Sequence, residues 1–302
     1  PNLQVTTGAW VHKLLFDGHT VIGVEYERDG VIEQLHGAEV VLAAGAVDSP
    51  RILLLSGVGP KRDLEALGID VVIDLPGVGE NLHDHLLVPV IFKTEKKDVG
   101  APPAGMPITQ VHWFWSSRPG LEVPDTQPLC FSVPMVQLGM DNAPASGFTM
   151  MGGLVTPKSR GTFKLADKNP NSTTLQDPNI FDHPDDLKSM IASVKQVREV
   201  GKQAALVEEW GAVEVYPGSD VQDDEALIEY IKNNAITYHH QVGTCKMGID
   251  DKAVVTPRLE VHGLKGIRIA DASIMPSVTT GNTNAPSMVI AEMAAKFIID
   301  NG

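Results

Sequence analysis

The chain has 302 residues, 43% of them hydrophobic and 21% charged, which fits a globular protein with one large or two medium cores and excludes a disordered or fibrous chain. Its 38 acidic against 24 basic residues give a formal charge of −14, which argues against nucleic acid or an anionic membrane surface as partner. Cys130 and Cys245 form no CxxC, and there is no basic leader or apolar run of about 18 residues; no zinc site, disulfide framework, signal peptide or membrane span is expected, and a cytoplasmic location is favoured.

Pro1-Asn2-Leu3-Gln4-Val5 reads as the middle of a domain, entering a strand pattern without a cap. Over 11–35, β-branched runs are broken at Asp17-Gly18 and Asp29-Gly30, dipeptides that favour tight reversals, so a three-stranded antiparallel meander is expected. The continuous apolar run over 39–44 predicts a strand buried on both faces of a parallel sheet. Asp48-Ser49-Pro50 then predicts an N-cap with Pro at the first helical position and a helix over 51–56. Strand, small-residue turn and helix in that order make a strand's C-terminal edge, where open α/β sheets bind ligands.

A short helix over 61–67 and a strand over 69–73 lead to Gly77-Val78-Gly79-Glu80-Asn81-Leu82-His83-Asp84-His85. Two histidines and two acids invite a metal reading, but with no further ligand pattern the stretch is taken as a polar, turn-rich crossing between domains, and no metal is expected. From 86 to 234 repeated prolines, with Trp113 and Trp115 among them, suggest loops and an exposed, ligand-facing sheet. Strands are expected over 150–154 and 162–165. Asp182 and Pro184 open an amphipathic helix carrying Leu187, Ile191, Val194, Val197 and Val200, and a shorter one carries Leu227, Ile228 and Ile231. The last third offers a buried strand over 266–273 ending in an acid, then a helix over 286–299 with Val289, Ile290, Met293 and Phe297 along one side.

Two stretches carry chemistry. Tyr238-His239-His240-Gln241-Val242-Gly243-Thr244-Cys245 supplies adjacent imidazoles before a Gly-Thr turn, and Gly281-Asn282-Thr283-Asn284-Ala285-Pro286 supplies two carboxamides ahead of a helix start. A base titrating near neutrality, a hydrogen-bond partner and an electropositive helix end suit oxidation of an alcohol.

Gly45-Ala46-Val47-Asp48-Ser49-Pro50-Arg51-Ile52-Leu53-Leu54-Leu55-Ser56-Gly57-Val58-Gly59 resembles the second signature of the glucose-methanol-choline (GMC) oxidoreductases. Gly79-Glu80-Asn81-Leu82-His83-Asp84-His85, Ser159-Arg160-Gly161, the His240 motif and Asp271-Ala272-Ser273 through Pro286 follow in family order. The resemblance spans residues 5–299 and implies FAD as cofactor and a small-molecule alcohol as substrate. It implies an α/β plus α+β fold: an incomplete FAD-binding, Rossmann-like domain in two parts, 1–85 and 247–302, around an antiparallel-sheet substrate-binding domain, 86–246. Gly57-Val58-Gly59 is followed by Arg62 and Gly77-Val78-Gly79 by Leu82, so neither is the G-x-G-x-x-G of a dinucleotide site. The chain is therefore expected to be one part of the enzyme, with the N-terminal half on a second chain or cleaved segment.

By the resemblance, His240 is the catalytic base and Asn282 the second catalytic residue, which positions the alcohol. His239, Thr283 and Asn284 would lie along the flavin, Asp271 and Ala272 beside the ribityl and pyrophosphate, and Val5 beside adenine. Trp113, Phe114, Trp115, Phe131 and Met135 are candidates for the substrate lining. A hydroxynitrile lyase-type flavoprotein on the same scaffold, and a non-catalytic half of a split protein, remain alternatives.

Overall fold

The computed structural model describes residues 2–100, 102–137, 140 and 143–301, so Pro1 lies outside it. The elements in chain order are β1 (Trp10–Asp17), β2 (Thr20–Arg28), β3 (Val31–His36), β4 (Val40–Leu42), α1 (Gly45–Leu55), β5 (Val58–Gly59), α2 (Lys61–Ala66), β6 (Ile73–Asp74), β7 (Leu86–Thr94), β8 (Thr109–His112), β9 (Leu129–Phe131), β10 (Gly147–Leu154), β11 (Thr162–Leu165), β12 (Thr174–Asp177), α3 (Pro184–Gly201), α4 (Ala204–Trp210), β13 (Ala212–Tyr216), α5 (Asp224–Asn234), β14 (Ile236–Thr237), β15 (Ile267–Ile269) and α6 (Asn284–Asn301).

The first three strands form the expected meander, order β1-β2-β3. Asp29 and Gly30 both take positive φ, 53° and 76°, between the paired ends Arg28 and Val31, as a two-residue I′ hairpin requires. Residues 2–9 form neither strand nor helix, and Val5 is 75% exposed; the strand pattern begins at Trp10, not at the N-terminus.

β4 pairs in parallel with β15, and Arg268 in that ladder is buried with its guanidinium on Glu39 and Glu260. The run over 39–44 is buried on one face only: Leu42 is in the core, while Val41 is 40% exposed. With two strands in this sheet, the pleat still sends alternate side chains outward and nothing described caps that side.

The helix after β4 starts earlier than its local signals indicate. α1 begins at Gly45, and Pro50 lies inside it, so Asp48-Ser49-Pro50 is not the cap. Proline cannot donate to the carbonyl four residues back, that of Ala46, and Thr244 Oγ1 donates to it instead at 2.7 Å. Ser49 Oγ meanwhile donates to Asp271 Oδ2 at 2.5 Å, so α1 is held across the β4–β15 sheet edge. Leu53, Val58, Leu64, Ile267 and Ile269 join one core cluster there.

The middle of the chain is less exposed than its prolines suggest. Six strands form an antiparallel sheet, β13-β7-β10-β9-β8 with β14 also on β7. β10 is buried along its whole length and β7 along most of it. α3 covers one face, setting Met190, Val194 and Val197 against Val88, Val90, Phe148 and Met150. Its cap is His183, whose ring nitrogen accepts from Asp185 N at 3.2 Å, rather than Asp182. α5 adds Leu227 and Ile231 to that core, and α4 was not expected from the sequence.

α6 departs from the amphipathic reading. Ala294 is its buried contact, with Ile290 and Phe297 partly buried, while Val289 is 61% and Met293 39% exposed. Val289, Ile290, Met293 and Phe297 lie within one arc of about 100°, but the core meets only the Ile290–Ala294–Phe297 edge of it, which leaves Val289 and Met293 outward. Among the described residues, no helix is long and apolar enough to cross a membrane.

Candidate active site

The His240 loop is stitched between two other segments. Its Val242 exchanges backbone hydrogen bonds with His83, N to O at 3.0 Å and, in return, 3.3 Å. Gly79 N donates to Thr244 O at 2.8 Å, and Cys245 N to Ser273 O at 2.8 Å. Gly243 takes φ +93°, and a Cβ there would stand 2.4 Å from Asn81 O, so the turn admits only glycine.

The stretch read as a polar crossing is buried and forms this loop's bed: His83, Asp84 and His85 are all in the interior. Asp84 Oδ1 accepts from His240 N at 2.9 Å, and Oδ2 accepts from Thr237 Oγ1, which itself accepts from His239 N and Gln241 Nε2. Burial, foremost, raises the Asp84 carboxyl above its ordinary range against the pull of these donors. His83 accepts from Val278 N through Nε2 at 2.9 Å, so its proton sits on Nδ1, facing Asn81 O at 2.6 Å. Burial, then Arg160, lowers this imidazole to about 4. Among the described residues no three His, Cys, Asp or Glu side chains converge as a metal site would need.

His240 is 9% exposed. Its Nδ1 lies 3.0 Å from His85 Nδ1, and the two rings meet edge to face with centroids 5.1 Å apart. His85 is lowered to about 3, mainly by burial, and its Nε2 is buried without a hydrogen-bond partner among the described residues. His240 is itself lowered, by burial first and then by the neighbouring His239. His239 is exposed and sits at φ +60°.

Tyr238 connects His240 to Asn282. Its ring lies 4.3 Å from the His240 ring, centroid to centroid, and its hydroxyl accepts from Asn282 Nδ2 at 3.5 Å. Asn282 Oδ1 accepts from Gln127 Nε2 at 3.2 Å, and Gln127 is fully buried. His240 and Asn282 therefore come from separate loops to one phenol ring. Thr283 is buried, its carbonyl accepting from Ser287 N and Oγ, while Asn284 begins α6 exposed.

Asp271 lies at the α1 edge. One of its carboxylate oxygens accepts from Gly45 N at 2.9 Å as well as from Ser49, and the other from Ser273 N at 2.8 Å, so the side chain is occupied in holding the fold. Ala272 beside it accepts from Gly243 N at 3.4 Å. Of the aromatic candidates, Trp113 faces α3, where its Nε1 donates to Gln196 Oε1; Trp115 is joined to Thr126 through the backbone. Phe131 and Met135 lie on the other face of the sheet, with Tyr238, and Phe114 lies by Gly281. Sequence reasoning missed Asp84, His85 and Gln127. The first two stood in a legible cluster of histidines and acids; Gln127 had no signal.

A mixed α/β fold with antiparallel sheets carries a paired imidazole and carboxamide beside the N-terminus of an 18-residue helix. Two family models of the GMC oxidoreductases match residues 1–87 and 157–291, and the chain belongs to that family. Its members are FAD-dependent dehydrogenases and oxidases acting on CH–OH groups. An alcohol dehydrogenase (acceptor) of Pseudomonas putida is 35% identical over 323 residues, covering 99% of this chain and 58% of that protein. The mitochondrial choline dehydrogenase of Mus musculus is 36% identical, over 99% of this chain and 54% of the enzyme. Among solved structures, pyridoxine 4-oxidase from Mesorbium loti superposes with a TM-score of 0.91 at 30% identity, over 98% of this chain and 58% of its own. Formate oxidase from Aspergillus oryzae RIB40 gives 0.87 at 22% identity, a likeness of fold, over 97% of this chain and 60% of its own. The chain thus spans little more than half the length of these relatives. The family's N-terminal model matches from residue 1, so the expected lack of an N-terminal dinucleotide-binding unit is not confirmed.

Proposed function

We propose that this chain carries the substrate side and the catalytic pair of an FAD-dependent enzyme that oxidises an alcohol to a carbonyl. The observation that carries the reading is the convergence of His240 and Asn282 on Tyr238. In this reading residues 1–85 and 247–302 serve the cofactor and 86–246 the substrate. The phosphate-binding part, with its G-x-G-x-x-G, belongs to the remaining length that the relatives have, on the same polypeptide or a partner chain.

The residues present fit a flavin. The first turn of α6, at exposed Asn284 and Ala285, presents helix N–H groups without intrahelical acceptors, and its positive end suits an electron-rich ring. Asn284, Thr283 and His239 would hold that ring, Asp271 and Ala272 would border the ribityl and pyrophosphate, chiefly through backbone since the Asp271 carboxylate is engaged, and Val5 the adenine. When bound, FAD supplies the acceptor for a hydride from the alcohol carbon.

The rest is done by side chains. The Nδ1–Nδ1 contact requires one ring to donate and the other to accept; with His85 as the acceptor, His240 carries its proton on Nδ1. That tautomer frees the Nε2 lone pair of His240 to take the hydroxyl proton, and its lowered pKa keeps the ring neutral at physiological pH. Asn282 donates to the substrate oxygen and keeps it beside the base. His85 acts as a positioning residue.

His240→Ala tests this. Alcohol-dependent flavin reduction should fall by about 10²–10⁴-fold while FAD stays bound, read as bleaching under anaerobic conditions. Near-normal reduction would remove His240 from the role; turnover of the wild type without any bleaching would favour the lyase alternative.

A further inference from the structure

A carboxamide has two ends that act oppositely on an alcohol. The amino end of Asn282 stabilises the negative charge that grows on the substrate oxygen as its proton leaves, and the carbonyl end repels it. Whatever sets the direction of this amide is therefore part of the chemistry. Gln127 Nε2 donates to Asn282 Oδ1 at 3.2 Å, so the carbonyl end is taken and Nδ2 is turned the other way. One N–H of that amino group reaches the Tyr238 hydroxyl at 3.5 Å, a long contact, and the second remains to donate to the substrate.

Gln127 is fully buried and rigidly placed. Its backbone N donates to Gly153 O at 3.1 Å, and two residues earlier Asp125 O accepts from Val155 N at 2.9 Å, so the segment is pinned along the end of β10. Thr126 between them exchanges backbone hydrogen bonds with Trp115 at 3.0 and 3.1 Å. A Cβ on Gly153 would stand 2.2 Å from Gln127 O, so the close approach needs glycine there. The amide of Gln127 also resists turning over. Its Oε1 is buried without a hydrogen-bond partner among the described residues, and reversal would put two N–H donors in that place, which buried structure tolerates less well than one lone carbonyl.

We propose that Gln127 is a second positioning residue for the oxidation: it holds the Asn282 carboxamide with an N–H towards the substrate oxygen, and acts on the reaction only through Asn282. The inference rests on the reading of Asn282 as the substrate's hydrogen-bond donor and adds how the direction of that donor is fixed. Without Gln127 the carboxamide turns between its two ends, and for part of the time a carbonyl oxygen faces the oxygen that is losing its proton.

A double-mutant cycle on the full-length holoenzyme tests it, read as anaerobic stopped-flow flavin reduction by benzyl alcohol or choline, whichever is faster with the wild type. Gln127→Met keeps the length and removes the donor. Its limiting reduction rate should fall about 10- to 100-fold while the apparent Kd of the alcohol moves by less than about three-fold, because the alcohol oxygen is charged only in the transition state. Asn282→Ala should lose at least as much, and adding Gln127→Met to it should cost less than about three-fold more, there being no carboxamide left to orient. A flavin-loaded Gln127→Met that reduces at the wild-type rate overturns the proposal, and so does a loss that multiplies in full with that of Asn282→Ala. Gln127→Leu takes its place if the Met variant does not hold FAD; failure of both to load or fold makes Gln127 a structural residue and overturns the proposal as well. Wild-type reduction by Asn282→Ala, by contrast, overturns the reading of Asn282 itself, and this inference with it.

Discussion

His239 is held at φ +60°, where a non-glycine residue sits at a cost of order 1 kcal/mol, and the cost fixes an imidazole next to the proposed base. Burial lowers the His240 pKa, and His239 lowers it further, so the neutral, proton-accepting form persists below the ordinary histidine range. The ascending limb of kcat/KM against pH should therefore fall below pH 6.5, activity declining as acid protonates the base. His239→Asn keeps a residue that tolerates the left-handed backbone and removes the imidazole, so the limb should move up part of the way towards 6.5, burial being the larger cause. A limb that stays in place would detach His239 from the base. At this scale the sequence was informative about His240 and showed His85 only as one member of a histidine-and-acid cluster, because a ring-to-ring contact across 155 positions leaves no local pattern of its own.

α1 shows how a local signal can mislead. Asp, Ser and Pro in a row favour a helix start, yet the backbone is already helical from Gly45 and a residue nearly 200 positions away fills the gap that Pro50 opens. Thr244→Val removes the hydroxyl that donates to that carbonyl and leaves the carbonyl buried, which should cost about 1–3 kcal/mol in denaturant unfolding. Pro50→Ala restores the N–H donor, so the double variant should recover much of the loss. Additive losses would mean that the Thr244 hydroxyl does not stand in for the missing N–H. The meander was read correctly from sequence because an Asp-Gly hairpin is decided within four residues. The single-sided burial of β4 was not, because which face is covered depends on strands far along the chain.

For the whole molecule, His83 and His85 bind the 79–85 segment to the His240 loop and to the stretch before α6, both as buried neutral rings. Their folded pKa values, about 4 and about 3, lie below the ordinary 6.5, so protons favour the unfolded chain: stability is full above 6.5 and is lost as pH falls towards those values. The loss should reach roughly 3 kcal/mol per ring by pH 4, and a His83→Gln variant should show a shallower fall between pH 7 and pH 4; equal slopes would refute the account. By itself the sequence determined the family, the meander, the helices α3 and α5 and the candidate pair His240 and Asn282, because these rest on short motifs and on side-chain period. Only the tertiary structure decided that a stretch taken for a polar crossing between domains is buried beneath the His240 loop, that Trp113 faces α3 while Phe131 and Met135 face Tyr238, and that Gln127 reaches Asn282. Each of those depends on which of two faces meets which distant segment, and a strand's alternation is the same whichever face is covered.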